Sequence, residues 1–139
     1  MKTPTGRSSG STGFQELEKD FTRVPNLLFD RLLLRLSHGE LRVLLFIIRN
    51  TLGWRRRGVC IPLSQFRRAG VAKSTAARAI KSLVEEGLIL RFTSGGSKTR
   101  AHFALNTPHD RLLHERYTAG DISALELVAL LSQPRVQTD

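Results

Sequence analysis

Only one cysteine, Cys60, occurs in the 139 residues. No intrachain disulfide can form, which excludes a disulfide-stapled secreted scaffold. A reducing compartment, the bacterial cytoplasm or nucleoid, is the natural expectation. Long apolar runs are missing too. The longest, "VLLFII" at 43–48, is far short of the ~20 residues that cross a bilayer. The opening "MKTPTGRSSGSTG" has no apolar core, so it does not read as a signal peptide, and no membrane partner is expected. The four histidines, His38, His102, His109 and His114, fall at no metal-ligand spacing. Neither a metal nor another cofactor is therefore expected. Catalytic signatures are lacking as well. "GGSKT" at 95–99 fails the phosphate-loop pattern, because Ser97 separates Gly96 from Lys98. No nucleophile–base pair or carboxylate cluster stands out, so the chain reads as a binding protein and not an enzyme.

Acids are also scarce, and this scarcity is localised. The chain carries 22 Lys+Arg against 12 Asp+Glu, a net charge of +10. Between Thr51 and Leu105 there are 11 basic residues and two acids, Glu85 and Glu86, so +9 of the charge lies in these 55 residues. A positive field concentrated in this way favours a polyanion such as nucleic acid. With 40% hydrophobic residues, the length suits one packed domain and a tail.

Residues 1–20, Gly/Ser/Thr-rich at the start, read as a flexible N-terminal tail. From residue 21 the punctuation is clear. "FTRVPN" is extended into Pro25. A helix follows, roughly Asn26 to Leu36, with Leu28, Leu32, Leu33 and Leu36 on its buried side. "SHGE" at 37–40 fits a capping box. It opens "ELRVLLFIIRNTL", apolar nearly all round except for Arg42 and Arg49, with Gly53 as terminator. Trp54 reads as a lid on the core and not as a base-stacking platform. Arg55, Arg56 and Arg57 are either phosphate contacts or a solvated run. "VCI" at 59–61 is a short strand, with Pro62 marking an edge. "LSQFRRAG" is a short helix capped by Ser64 and closed at Gly70.

"KSTAARAIKSLVEEGLI" at 73–89 supplies the next helix, Lys73 to about Glu86. At 100° per residue, Ala76, Ala79, Ile80, Leu83 and Val84 form one stripe. Ser74, Arg78, Lys81 and Glu85 form the other, with Thr75 and Ser82 beside it. "LILRF" and "RAHFAL" alternate as strands do, around the Gly-containing loop "TSGGSKT". The order helix, helix, strand, helix, turn, helix, hairpin is that of a winged helix-turn-helix, mainly α with a small β-wing, over residues 21–106. Residues 107–139 form a short helical C-terminal extension. Thr107 caps its first helix, Pro108 occupies the first helical position, and Asp121 caps its second. The apolar band of that second helix (Ile122, Ala124, Leu125, Leu127, Val128, Leu131) suits packing back on the same domain, with self-association as the alternative.

The cationic edge of the helix at 73–86 suits the major groove of double-stranded DNA. Its cations and hydroxyls come first and its acids last, which matches a helix that leads with its N-terminal turns. Arg78 is the candidate base reader, because its planar fork matches guanine. Lys73 and Lys81 suit phosphates, and Ser74 and Thr75 suit either. Ser64 and Gln65 on the preceding helix, with Lys98 and Arg100 at the wing, complete the candidate DNA-binding set. The plain alternative is a solvated basic face on an ordinary amphipathic helix.

These segments resemble a known family. "FTRVPN", "ELRVLLFIIRNTLGW", "LSQF" and the run "GVAKSTAARAIKSLVEEGLI" are similar to the N-terminal domain of bacteriophage replication protein O, the lambda-type origin-binding initiator. The resemblance implies binding to repeated sites in a replication origin, with Lys73–Glu86 as recognition helix. It also implies recruitment of the replicative helicase or its loader through a C-terminal region, here reduced to one or two helices. Ala72 departs from the pattern, standing where a capping Ser is common. Two other readings remain from the residues alone: a small winged-helix transcriptional regulator, and a protein–protein adaptor without DNA. A homodimer is plausible on the ground that one such domain reads only a short site.

Overall fold

The computed structural model describes residues 19–93 and 100–134. Most of the expected tail and the wing tip, including Lys98, lie outside the described residues. The carbonyl of Pro25 accepts from the Leu28 N–H at 3.1 Å and starts the first helix, α1. This helix is π-wound over Leu28–Leu32 and α-helical over Leu33–Arg35. Leu28, Leu32 and Leu36 are buried at four-residue spacing, as expected, but Leu33 is exposed. Leu33, the first residue after the π turn, falls outside that buried line.

Helix α2, His38–Thr51, opens on the expected capping box. Ser37 Oγ accepts from the Glu40 N–H at 3.2 Å, and Glu40 Oε1 accepts from the Ser37 N–H at 2.8 Å. Val43, Leu44, Ile47 and Ile48 are buried, while Arg42 and Arg49 face solvent. Leu45 is also exposed, so the helix is not buried all round. Nor does it end at Gly53. A 3-10 turn, Leu52–Trp54, follows directly, and Arg55 takes the left-handed conformation at φ +57°. Gly53 serves close approach instead. A Cβ there would lie 2.8 Å from Arg49 Nη1 and 2.9 Å from Thr22 Oγ1.

Strand β1, Gly58–Pro62, leads into a 3-10 helix, Leu63–Ala69. Ser64 does not cap it. Pro62 occupies the cap position, with no side-chain hydrogen bond, and Ser64 lies exposed within the first turn. Gly70 closes the element at φ +85°, a conformation that L side chains rarely adopt. The guanidinium of Arg42 lies against Gly70 where a Cβ would project. Helix α3, Lys73–Glu85, follows.

Strands β2, Ile89–Phe92, and β3, Arg100–Leu105, form the hairpin. The sheet order is β1-β3-β2, all antiparallel, with β1 at an edge as Pro62 implied. Its two faces carry separate cores. Ile61, Ile89, Ala101 and Phe103 join the residues of α1, α2 and α3 in one cluster. Phe66 is its pivot, fully buried, 5.4 Å from the Phe46 ring and 5.8 Å edge-on to Phe103.

Leu90, Phe92 and Ala104 point the other way, toward α4, Pro108–Thr118, and α5, Ala124–Leu131. Thr107 caps α4 with Pro108 at its start, as expected. The cap of α5 is Ser123 and not Asp121. Ser123 exchanges hydrogen bonds with Glu126, both at 3.1 Å, in a second capping box. From its apolar band, Ile122, Leu127 and Leu131 are buried on the sheet, while Ala124, Leu125 and Val128 are exposed. The second helix thus packs back on the domain through one edge of its band. Gly58 permits this, since a Cβ there would sit 2.8 Å from Leu131 Cδ2. This topology is a winged helix-turn-helix whose sheet is covered on both faces.

Candidate nucleic-acid interface

Helix α3 is seated by small residues. Ala76, Ala79, Ile80 and Leu83 are buried against the first core, whereas Val84, placed in the same stripe by periodicity, is 37% exposed. It sits at the margin of a stripe that four residues already fill. The approach to α2 is close: a Cβ on Gly39 would lie 2.9 Å from Thr75 Cγ2. Thr75 is consequently half-buried with its methyl on α2, so it is the least available of the candidate contacts on α3. Ala72 is the N-cap, and no side chain caps the helix. Its first N–H groups therefore lack an intrahelical or side-chain cap and point where an anion is favoured.

The opposite edge is open. Lys73, Ser74, Ala77, Arg78 and Lys81 are all exposed. Ser74, Arg78, Lys81 and Glu85 recur at helical spacing on one face, so the structure brings these candidates together. Toward its C-terminal end the face turns acidic, with Glu85 and Glu86 both exposed. Glu86 is ion-paired with Arg35 of α1. Ser82 donates its hydroxyl hydrogen to Glu40 Oε2, tying α3 to the capping box of α2. That bond and the Ser37 backbone N–H hold the Glu40 carboxyl below its ordinary range, more than burial raises it.

Ser64 and Gln65 lie exposed on the preceding 3-10 helix, beside Arg67 and Arg68, which are also exposed. Arg100 opens β3 opposite Pro62 of β1, at the base of the wing. Lys98 lies outside the described residues. Sequence reasoning missed part of the basic surface. Arg49, read only as solvent-facing, lies over the ring of Trp54, 5.2 Å from its centroid. Trp54 is 60% exposed and therefore not a lid on the core. The signal was present in "GWRRR", a tryptophan set between a glycine and three arginines. Of those three, Arg57 is no surface contact. Its Nε and Nη2 reach the buried Asp110 Oδ1 at 2.9 and 2.8 Å. Among the described residues, no group of three or more His, Cys, Asp or Glu is placed to hold a metal ion, and no helix is long and apolar enough to cross a membrane.

The family model for bacteriophage replication protein O matches residues 14–103, from before α1 to within β3. The chain belongs to the bacteriophage replication protein O family. The matched span of this replication protein O domain contains α1, α2, the helix-turn-helix, β2 and most of β3. It stops short of α4 and α5, which cover the second face of the sheet. No curated protein matches the chain. Among solved structures, it is similar to a mutant MarR from E. coli complexed with operator DNA. The identity is 16%, over 71% of this chain and 73% of that one, with a TM-score of 0.40.

Proposed function

We propose that this replication protein O family member binds double-stranded DNA sequence-specifically, with α3 in the major groove, and that its target is a replication origin. The observation that carries this reading is the division of α3: Ala76, Ala79, Ile80 and Leu83 seat the helix, and Ser74, Arg78 and Lys81 share its open face. Arg78 reads a base edge through its planar fork, and Lys73 and Lys81 neutralise phosphates. Ser64 and Gln65 add contacts from the first helix of the motif, and Lys98 and Arg100 add them from the wing. Family membership supports the origin as target, since the activity belongs to replication. The reading includes pairing of two copies on repeated sites, delivery of the replicative helicase or its loader to them, and action in the bacterial cytoplasm or nucleoid. It assigns the chain no catalytic step.

The test is a selection from random duplex DNA and source-genome fragments, followed by affinity against salt. Clustered repeats bound at least ~1000-fold more tightly than random sequence are the expected result. A lone promoter palindrome would replace the initiator reading with that of a regulator. Weak binding with no sequence preference would remove specific recognition altogether.

A further inference from the structure

Tryptophan is highly buried on average, yet Trp54 is 60% exposed. The local backbone builds this exposure. The 3-10 turn Leu52–Trp54 projects the indole, and the left-handed Arg55 fixes the exit of the chain with its N–H on the Leu52 carbonyl at 3.1 Å. Gly53 lets Arg49 cross the backbone closely enough to lie over the ring. Two cavities flank the indole and share Trp54 and Arg49. The larger, about 550 Å³, runs past Phe46 and the free edge of β1 to Gln65 and Arg68, and no acid lines it. The smaller, about 390 Å³, adds Arg55, the exposed Phe21 and one acid, Asp20.

We infer that this cleft is a binding site for single-stranded DNA, with an unpaired base stacked on the face of Trp54 that Arg49 does not cover and the flanking phosphates on Arg49 and Arg68. This goes beyond duplex recognition by α3 and needs none of the side chains on the α3 face. Exposed aromatic rings in a cationic groove are the recognised means of holding single strands, because every base offers a π-face. The two rings, Trp54 and Phe21, suit successive bases. A protein strand added to the edge of β1 fits less well. Pro62 removes a backbone donor at one end of that edge, and the surrounding charge is positive.

Trp54 is the chain's only tryptophan and Cys60, on the larger cavity, its only cysteine, so both report on the cleft without ambiguity. An oligonucleotide of ~10 thymidylates should quench the Trp54 emission saturably and protect Cys60 from a maleimide. Trp54→Ala should weaken its binding ~5- to 150-fold, the range for one stacked base, with duplex affinity and thermal midpoint at wild-type values. Trp54→Phe should keep most of the affinity. Arg49→Ala should shrink the salt slope for the single strand by ~0.7. Three results would each overturn the inference: no quenching, an abasic oligomer of equal length binding as tightly, or a duplex quenching Trp54 as strongly. If Trp54→Ala does not fold, the Trp54→Phe and Arg49→Ala variants with Cys60 protection decide the matter.

Discussion

Arg78 is the residue whose removal separates recognition from attraction. It is exposed near the middle of α3, with Ser74 and Lys81 on the same face. Arg78→Ala should cost ~1–3 kcal/mol on the selected site and relax preference at one base position. Binding curves on the selected site and on random duplex distinguish the roles, since equal losses on both would make Arg78 a phosphate contact only. Glu40 offers a second test at this scale. Hydrogen bonds from Ser82 and the Ser37 backbone hold its carboxyl below its ordinary 4.5. Because the folded value is the lower one, the protein gains stability from this group above 4.5 and loses it as pH falls through the lowered folded value. Ser82→Ala removes the largest cause, so the loss of urea midpoint below 4.5 should become shallower. Burial pushes the His102 imidazole below its ordinary 6.5. The stability linked to His102 is present above 6.5 and lost as pH falls toward the lower folded value. Ser82→Ala should leave that higher window unchanged, and a change there instead would mean that Ser82 acts otherwise than through Glu40.

Helix α4 is fixed by a largely buried ion pair as well as by packing. Asp110 is 1% exposed, held by Arg57 from before β1 and by the Thr107 hydroxyl at 2.9 Å. His114 and Tyr117 anchor the same helix to the wing strand. His114 Nε2 lies 3.0 Å from the Arg91 carbonyl, and Tyr117 donates to the Thr93 carbonyl at 3.1 Å. Asp110→Ala leaves the largely buried Arg57 without its carboxylate and should cost ~3–5 kcal/mol in urea unfolding at neutral pH. Replacing both by Met and Leu should recover most of that loss. A single-variant cost below ~1 kcal/mol would place the pair among ordinary surface bridges.

None of this pairing was legible in the sequence, because Arg57 and Asp110 lie 53 residues apart and spacing carries no partner information. Local signals were legible: the Ser37–Glu40 box, Pro108 at the start of α4, the turn at Gly70 and the seating stripe of α3. A comparable signal, Ser123 followed by Glu126, was available for α5, although Asp121 was favoured as the cap. Leu33 and Trp54 were misplaced for different reasons. Periodicity assumes a regular α-helix, and Leu33 directly follows a π turn, whereas Trp54 was assigned to the core as the only tryptophan, after Gly53, and sits in an exposed 3-10 turn.

Across the whole molecule, the sheet divides the charge into working and non-working cations. Helix α3 lies on one face of the sheet with the first core, and α4 lies on the other with the second. Lys81 is exposed on the first side, while Arg116 is exposed on α4. Both contribute equally to the net charge of +10, so a binding mode driven by overall charge would lose about the same from either. Groove binding through α3 treats them differently, since only a cation that displaces counterions from phosphate enters the salt slope. Lys81→Ala should therefore lower affinity for all duplex sequences and reduce the slope of log K against log salt by about one. Arg116→Ala should change the slope less, because α4 lies on the sheet face opposite α3. Titrations of both variants over the same salt series test this, and equal slopes would mean that the duplex does not lie along α3.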